Sequence, residues 1–77
     1  MTLDIISAED VLFSGEVTSV TLPGAKGSFT VLRNHASLIS TLVAGSITYV
    51  AGGEEVKMPV QGGLVNVDNN VVSVCIY

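Results

Sequence analysis

The chain has 77 residues, of which 48% are hydrophobic and only 13% are charged. A domain of this size buries only about 60% of its unfolded surface, so the high apolar fraction predicts one dense core and argues against disorder. The net charge of −4, with only three basic residues, disfavours binding to nucleic acid or to anionic lipid.

The use of cysteine and the lengths of the apolar runs indicate the environment of the protein. Cys75 is the only cysteine, which excludes an internal disulfide and fits a reducing compartment. No run approaches the ~20 apolar residues of a membrane helix, and the first residues lack the basic and apolar segments of a signal peptide. We therefore expect a soluble cytoplasmic protein that does not insert into a membrane and reaches one only through a partner.

The first half of the chain is predicted to consist of short strands, because it is rich in branched apolar residues and threonine. Strands are predicted at residues 3–6 and 11–13, and Phe13-Ser14-Gly15 is interpreted as a turn. Val17 and Val20 lie on opposite parities, so a bulge near Thr18-Ser19 is needed to give them a common buried face. Pro23-Gly24 is typical of a type II turn.

Segment 38–43 is ambiguous, because its apolar residues have a helix-like spacing and Asn34 could cap a helix. Ala44-Gly45 ends this run early and its neighbours are predicted strands, so we predict a strand here as well. Three later segments alternate with period two. Their inward-facing residues are predicted to be Ile47, Tyr49 and Ala51, then Val56, Met58 and Val60, then Val72, Val74 and Ile76.

Turn residues separate the alternating segments at the points where hairpins need them. Gly52-Gly53 and Asp68-Asn69-Asn70 consist of residues that tolerate positive φ. The sequence therefore predicts an all-β fold, a small antiparallel β-sandwich or flattened barrel of about eight to ten short strands. One domain is expected over residues 1–77.

The residues define no catalytic, cofactor or metal site. One histidine and one cysteine are too few for a tetrahedral zinc site, and the glycine-containing segment 24–28 lacks the spacing of a phosphate-binding loop. His35 could join a Ser-His-Asp set, but no spacing selects a serine, so a loop histidine bonded to nearby backbone is favoured. Cys75 is interpreted as a small packed side chain.

Four segments carry a further pattern, which in chain order reads FSGEVTSVTLPG at 13–24, GSFTVLRNHASLI at 27–39, GGLVNV at 62–67 and NVVSV at 70–74. Together they resemble the N-terminal β-sandwich domain of F-type ATP synthase epsilon subunits. The resemblance implies a non-catalytic rotor subunit of the central stalk. Such a subunit links the gamma subunit to the polar loops of the membrane c-ring and supports the coupling of ion translocation to ATP synthesis.

The resemblance also implies contact residues and a location. The residues that would face the c-ring are Lys26, Gly27, Ser28 and Phe29. Those that would lie toward gamma are Ser7, His35 and Ser40. The expected location is the cytoplasmic face of a bacterial plasma membrane, with the chain held there peripherally through the ATP synthase complex.

The sequence departs from the family pattern at three places. Ser28 stands near the position of a carboxylate in the family's turn, and Arg33 and Ser37 replace two prolines, which should leave that loop less rigid. The 77 residues include no counterpart of the family's C-terminal helical hairpin, so neither nucleotide binding nor restraint of hydrolysis by that hairpin is expected of them. An independent adaptor that binds protein through the turn at 24–29 is the alternative, and a hydrolase built on His35 is a weaker one.

Overall fold

In the computed structural model, residues 1–77 form nine β-strands and no helix. The strands are β1 (Thr2–Ile6), β2 (Val11–Glu16), β3 (Ser19–Gly24), β4 (Gly27–Leu32), β5 (Leu38–Leu42), β6 (Gly45–Ala51), β7 (Glu54–Val60), β8 (Gly63–Asp68) and β9 (Val71–Ile76). The predicted all-β class and the predicted number of strands are confirmed. No segment of the fold is a helix that could cross a membrane.

The strands form one continuous sheet that folds over on itself. The first half-sheet has the strand order β2-β1-β9-β8-β5, and the second has the order β4-β3-β6-β7. Neighbouring strands are antiparallel except β1 and β9, which are parallel. The halves join where Gly24 pairs with Leu42, and the Val43 amide donates to the Pro23 carbonyl oxygen at 2.9 Å.

One hydrophobic core fills the space between the two half-sheets. Fourteen buried apolar residues form it, including Val65, Val72 and Val74 from the first half and Val20 and Ile47 from the second. The alternation predicted for β6 and β9 is confirmed by this burial. Segment 38–43 is the predicted strand and not a helix, because β5 pairs along its whole length with β8.

The turn predicted at Pro23-Gly24 is wrong, because both residues are buried inside β3 and the chain reverses at Ala25-Lys26. A Cβ on Gly24 would lie 2.8 Å from a ring atom of Phe29, so the glycine makes room for an aromatic side chain. The positive φ of the hairpin falls instead on Gly27, at 123°. Packing therefore overrides the local turn preference of the Pro-Gly pair.

The bulge predicted near Thr18-Ser19 is also wrong, because the chain passes between strands there. The Val17 amide donates to the Met1 carbonyl oxygen and the Thr18 amide to the Val50 carbonyl oxygen, both at 2.9 Å. These bonds attach successive residues to opposite half-sheets. The break in the alternation thus marks a crossing between β2 and β3.

Strand β2 includes the Ser14-Gly15 pair that was predicted to form a turn. Ser14 pairs with Asp4 of β1, and its hydroxyl donates to the Asp4 carboxylate at 2.6 Å. A Cβ on Gly15 would lie 3.3 Å from the ring of Phe13, which stacks on Tyr49 with ring centroids 4.4 Å apart. Glycine here accommodates an aromatic contact within a strand and does not mark a turn.

Candidate functional site

The β3–β4 hairpin carries the residues that the resemblance assigns to the c-ring. Lys26, Gly27 and Ser28 are exposed at its tip. Phe29 is half-buried and packs against the core, with its ring over Gly24. Three of the four predicted residues therefore offer surface, while Phe29 supports the hairpin from inside.

The residues assigned to gamma lie in or beside the first half-sheet but do not form one cluster. Ser7 follows Ile6, which pairs with Cys75 near the end of β9. His35 lies in the loop beside the turn that precedes β9, at the opposite end of strands that are about 17–20 Å long. Ser40 is half-buried in the middle of β5, and its hydroxyl donates to the Thr41 carbonyl oxygen at 3.2 Å.

His35 is bonded to local backbone, as the sequence predicted for a loop histidine. Its Nδ1 lies 2.7 Å from the carbonyl oxygen of Ala36, and its amide donates to the Leu32 carbonyl oxygen at 3.1 Å. No serine hydroxyl is hydrogen-bonded to the imidazole, so the geometry supplies no activated nucleophile. Nor do three histidine, cysteine or carboxylate side chains converge on a place where a metal ion could bind.

Two pairs of polar side chains tie the β4–β5 loop to the β8–β9 turn, and we call Asn34, Ser37, Asp68 and Asn70 the loop latch. The backbone amide of Asn34 donates to Asn70 Oδ1 at 2.6 Å, and the side-chain Nδ2 of Asn70 donates back to Asn34 Oδ1 at 3.2 Å. The Ser37 hydroxyl donates to Asp68 Oδ1 at 2.7 Å. Hydrogen bonds therefore hold the loop in which Arg33 and Ser37 replace the prolines of the family pattern.

The outer face of the first half-sheet carries a cluster of exposed side chains that we call the outer patch. Its members are Ile6, Val11, Ile39, Leu64 and Cys75. Strand pairing sets four of them side by side, since Cys75 pairs with both Ile6 and Leu64 and Ile6 pairs with Val11. Ile39 is more peripheral and pairs with Asn66. Ile39 is 72% exposed and Leu64 is 50% exposed. Isolated exposed apolar residues are common, whereas a contiguous group of them is a candidate docking surface.

A shallow groove of about 500 Å³ runs through the outer patch. Its polar lining includes Asp4 and Ser14, which are hydrogen-bonded to each other. An apolar partner segment could fill this groove, and the Asp4 carboxylate has a free acceptor oxygen for a donor from that partner.

Cys75 is exposed in the outer patch, so its prediction as a packed side chain is wrong. It follows buried Val74 and therefore points to the other side of the sheet. The period-two pattern of β9 already placed Val71 and Cys75 on the outward side. Apolar residues on the outward positions of a strand were the signal for this surface in the sequence.

The sequence matches the family model described as the beta-sandwich domain of the ATP synthase delta/epsilon chain over residues 1–76. The ATP synthase epsilon chain of Rhodopseudomonas palustris (strain BisB5) is 42% identical over 71 residues, covering 92% of this chain and 53% of that protein. That of Leptospira borgpetersenii serovar Hardjo-bovis is 40% identical over 75 residues, covering 96% and 58%. The chain thus spans little more than half the length of these relatives.

Solved structures share the fold. A chain in the cryo-EM structure of the Euglena gracilis mitochondrial ATP synthase (OSCP, F1 and c-ring) matches with a TM-score of 0.88 at 22% identity, over 96% of this chain and 48% of that one. A chain in the central stalk and c-ring structure from Tetrahymena thermophila mitochondria matches with a TM-score of 0.84 at 13% identity, over 97% and 61%. With the family match over residues 1–76, these findings establish that the chain belongs to the ATP synthase delta/epsilon family, whose β-sandwich domain it forms.

Proposed function

We propose that this chain is a non-catalytic rotor subunit of an F-type ATP synthase. It joins the gamma subunit to the polar loops of the membrane c-ring and supports the coupling of ion translocation to ATP synthesis. Membership of the delta/epsilon family and relatives named ATP synthase epsilon chain support this role. Because those relatives are bacterial, the proposed location is the cytoplasmic face of a bacterial plasma membrane, held there peripherally by the complex.

The outer patch is the observation that carries the proposal, and gamma is its proposed partner. Apolar side chains that stay exposed on one sheet face are stabilised when a partner covers them, at about 25 cal/mol per Å². Ser7 and His35 lie at opposite ends of the same half-sheet, so a partner that covers the patch approaches both, whereas Ser40 alternates with Ile39 and lies on the inner side of β5. Their separation favours an extended contact over a single point.

The β3–β4 hairpin is the proposed contact with the c-ring. Its tip lies in the second half-sheet, so the two proposed contacts use different parts of the fold. Lys26 and Ser28 are exposed there and suit polar loops, whereas Phe29 keeps the hairpin fixed to the core. A closely packed core between two hydrogen-bonded half-sheets gives the stiffness that torque transmission requires.

Co-purification with gamma tests the role and the surface together. We expect the wild-type chain to co-purify with a gamma-containing complex and Leu64→Asp to bind gamma roughly a hundredfold more weakly, because an unpaired charge is then buried in the interface. Val43→Asp is the matched control, since Val43 is also exposed but lies in the link between β5 and β6. It should bind like the wild type.

Two outcomes would count against the rotor role. One is failure of the folded wild-type chain to join any gamma-containing complex. The other is coupling of ion flow to synthesis that is undiminished when the chain is removed. An independent adaptor that uses only the turn at 24–29 would instead bind its partner equally well with either substitution, so the same variants separate the two functions.

A further inference from the structure

Three strands, β2, β4 and β7, have a neighbouring strand on one side only and an open edge on the other, while β5 meets β3 through the single pair of Gly24 and Leu42. Natural proteins protect such edges with charges, prolines or irregular register, because unpaired backbone groups recruit other strands. Strand β7 carries Glu54, Glu55, Lys57 and Pro59. Strand β2 ends at Glu16, and its pairing with β1 shifts register between Ile5 and Ile6. Strand β4, with the sequence GSFTVL, has none of these protections.

The pairing of β3 shows which backbone groups of β4 face the open edge. The Pro23 carbonyl oxygen accepts a bond from Val43, on the side of β3 away from β4, so Pro23 and Ser28 form a non-hydrogen-bonded pair. Because such pairs alternate along antiparallel strands, the backbone groups of Thr30 and Leu32 also point outward. The Leu32 carbonyl oxygen is used by the His35 amide. Three amides and two carbonyl oxygens remain without a partner.

Side chains and charge define the segment that would fit this edge. Leu32 is 56% exposed, and Ser28 and Thr30 beside it are uncharged and exposed. Lys26 and Arg33 bracket the strand and supply two of the three basic residues of an acidic chain. Neither is in an ion pair, since the one ion pair joins the Met1 ammonium group to Glu16. Their positions are about 23 Å apart along an extended strand.

We propose that the β4 edge binds an extended segment of a partner polypeptide by strand addition, with an acidic side chain of that segment at each end of the edge. Main-chain hydrogen bonds would supply the affinity, and the basic residues would set the register. A second copy of this chain fits poorly, because antiparallel pairing of two β4 strands places Lys26 of one copy beside Arg33 of the other. Binding at the β4 edge does not depend on either of the rotor contacts proposed above. It shares with the proposed ring contact only Lys26 and Ser28, at the tip of the hairpin.

Amide exchange measured by NMR on the 77-residue chain tests the proposal. The probe is the capped peptide Glu-Thr-Val-Thr-Val-Thr-Val-Glu. We expect it to slow exchange at the amides of Ser28, Thr30 and Leu32, while Phe29 and Val31 are already protected by β3. The same peptide with lysine in place of both glutamates should bind about tenfold more weakly.

Variants of the chain separate edge pairing from other binding. Thr30→Pro removes the central free amide and keeps the backbone bonds to β3, losing only the contact of 2.9 Å between the Thr30 and Thr21 hydroxyls. It should weaken binding about tenfold. Arg33→Glu should weaken peptide binding by a similar factor, because it replaces an attractive charge with a repulsive one. If Thr30→Pro fails to fold, Arg33→Glu alone tests the proposal. Lys57→Glu, on the β7 edge, is the matched control and should bind like the wild type.

Several results would overturn the proposal. They are an absence of added protection at millimolar peptide, protection that appears at β2 or β7 instead, and equal binding by the wild type and Arg33→Glu. Protection that rises with protein concentration in the absence of peptide would assign the edge to a second copy and would equally reject an acidic partner segment.

Discussion

Val74 shows how sharply one strand separates its two faces. Its side chain is 1% exposed in the core, whereas Ser73 before it faces solvent. We expect Val74→Asp to lower the free energy of unfolding by about 3 kcal/mol or more, because the core offers a carboxylate no hydrogen-bonding or charged partner. Urea unfolding measures this difference.

Ser73→Asp is the control for that substitution, since it places the same carboxylate one residue away on the outer face. Because Ser73 pairs with Asp4 of β1, repulsion between the two carboxylates should lower the free energy of unfolding by about 0.2–1 kcal/mol, well below the effect of the core substitution. Equal stability of the two variants would show that Val74 does not face the core.

The loop latch is the contact between separate elements whose energy is easiest to isolate. Ser37 and Asp68 are joined by one hydrogen bond of 2.7 Å between exposed side chains. A double-mutant cycle of Ser37→Ala and Asp68→Ala should give a coupling free energy of about 0.5–1.5 kcal/mol. Thermal or urea unfolding of the four proteins measures it.

Ser46 provides the matched cycle, because it is exposed and makes no side-chain hydrogen bond to the latch. Ser46→Ala combined with Asp68→Ala should show no coupling. If the coupling free energy of the Ser37 cycle were as small as that of the Ser46 cycle, the loop latch would not stabilise the β4–β5 loop.

Alternation predicted the existence of β6, β7 and β9, but in β7 the predicted inward residue Val56 is 37% exposed and only Val60 is buried. β6 and β9 follow period two closely, so both their existence and their inward faces were read correctly. Pro23-Gly24 was wrongly predicted to be a turn, because the glycine is required there by a tertiary contact. Phe29 pairs with Leu22 across the hairpin, and its ring covers Gly24. Local turn preference carries no information about that contact.

Local pattern indicated only part of the outer patch, for a related reason. Alternation places Cys75 on the outward side of β9, but only the parallel pairing of β1 with β9 sets Ile6 beside it. That pairing joins the two ends of the chain. The positions of the hairpin tip and of His35 came from the family resemblance, because no residue chemistry singles them out.

At the scale of the whole molecule, the two half-sheets depend on one another. Each presents one apolar face to the shared core, and few backbone bonds connect them directly. A half-sheet without its partner would expose that face to water, which disfavours partial unfolding. Cooperative unfolding and mechanical stiffness therefore have the same physical origin here.

Native-state hydrogen exchange measures this dependence directly. Val20 lies in β3 and Val65 in β8, each in an interior strand of its own half-sheet. We expect both amides to report the same free energy of opening, within about 0.5 kcal/mol, and Val74→Ala to lower both by about 1–3 kcal/mol. Leu32→Ala, at an exposed position, should lower neither. If Val65 lost protection while Val20 kept it, the halves would open separately, which would contradict the stiffness on which the proposed rotor role depends.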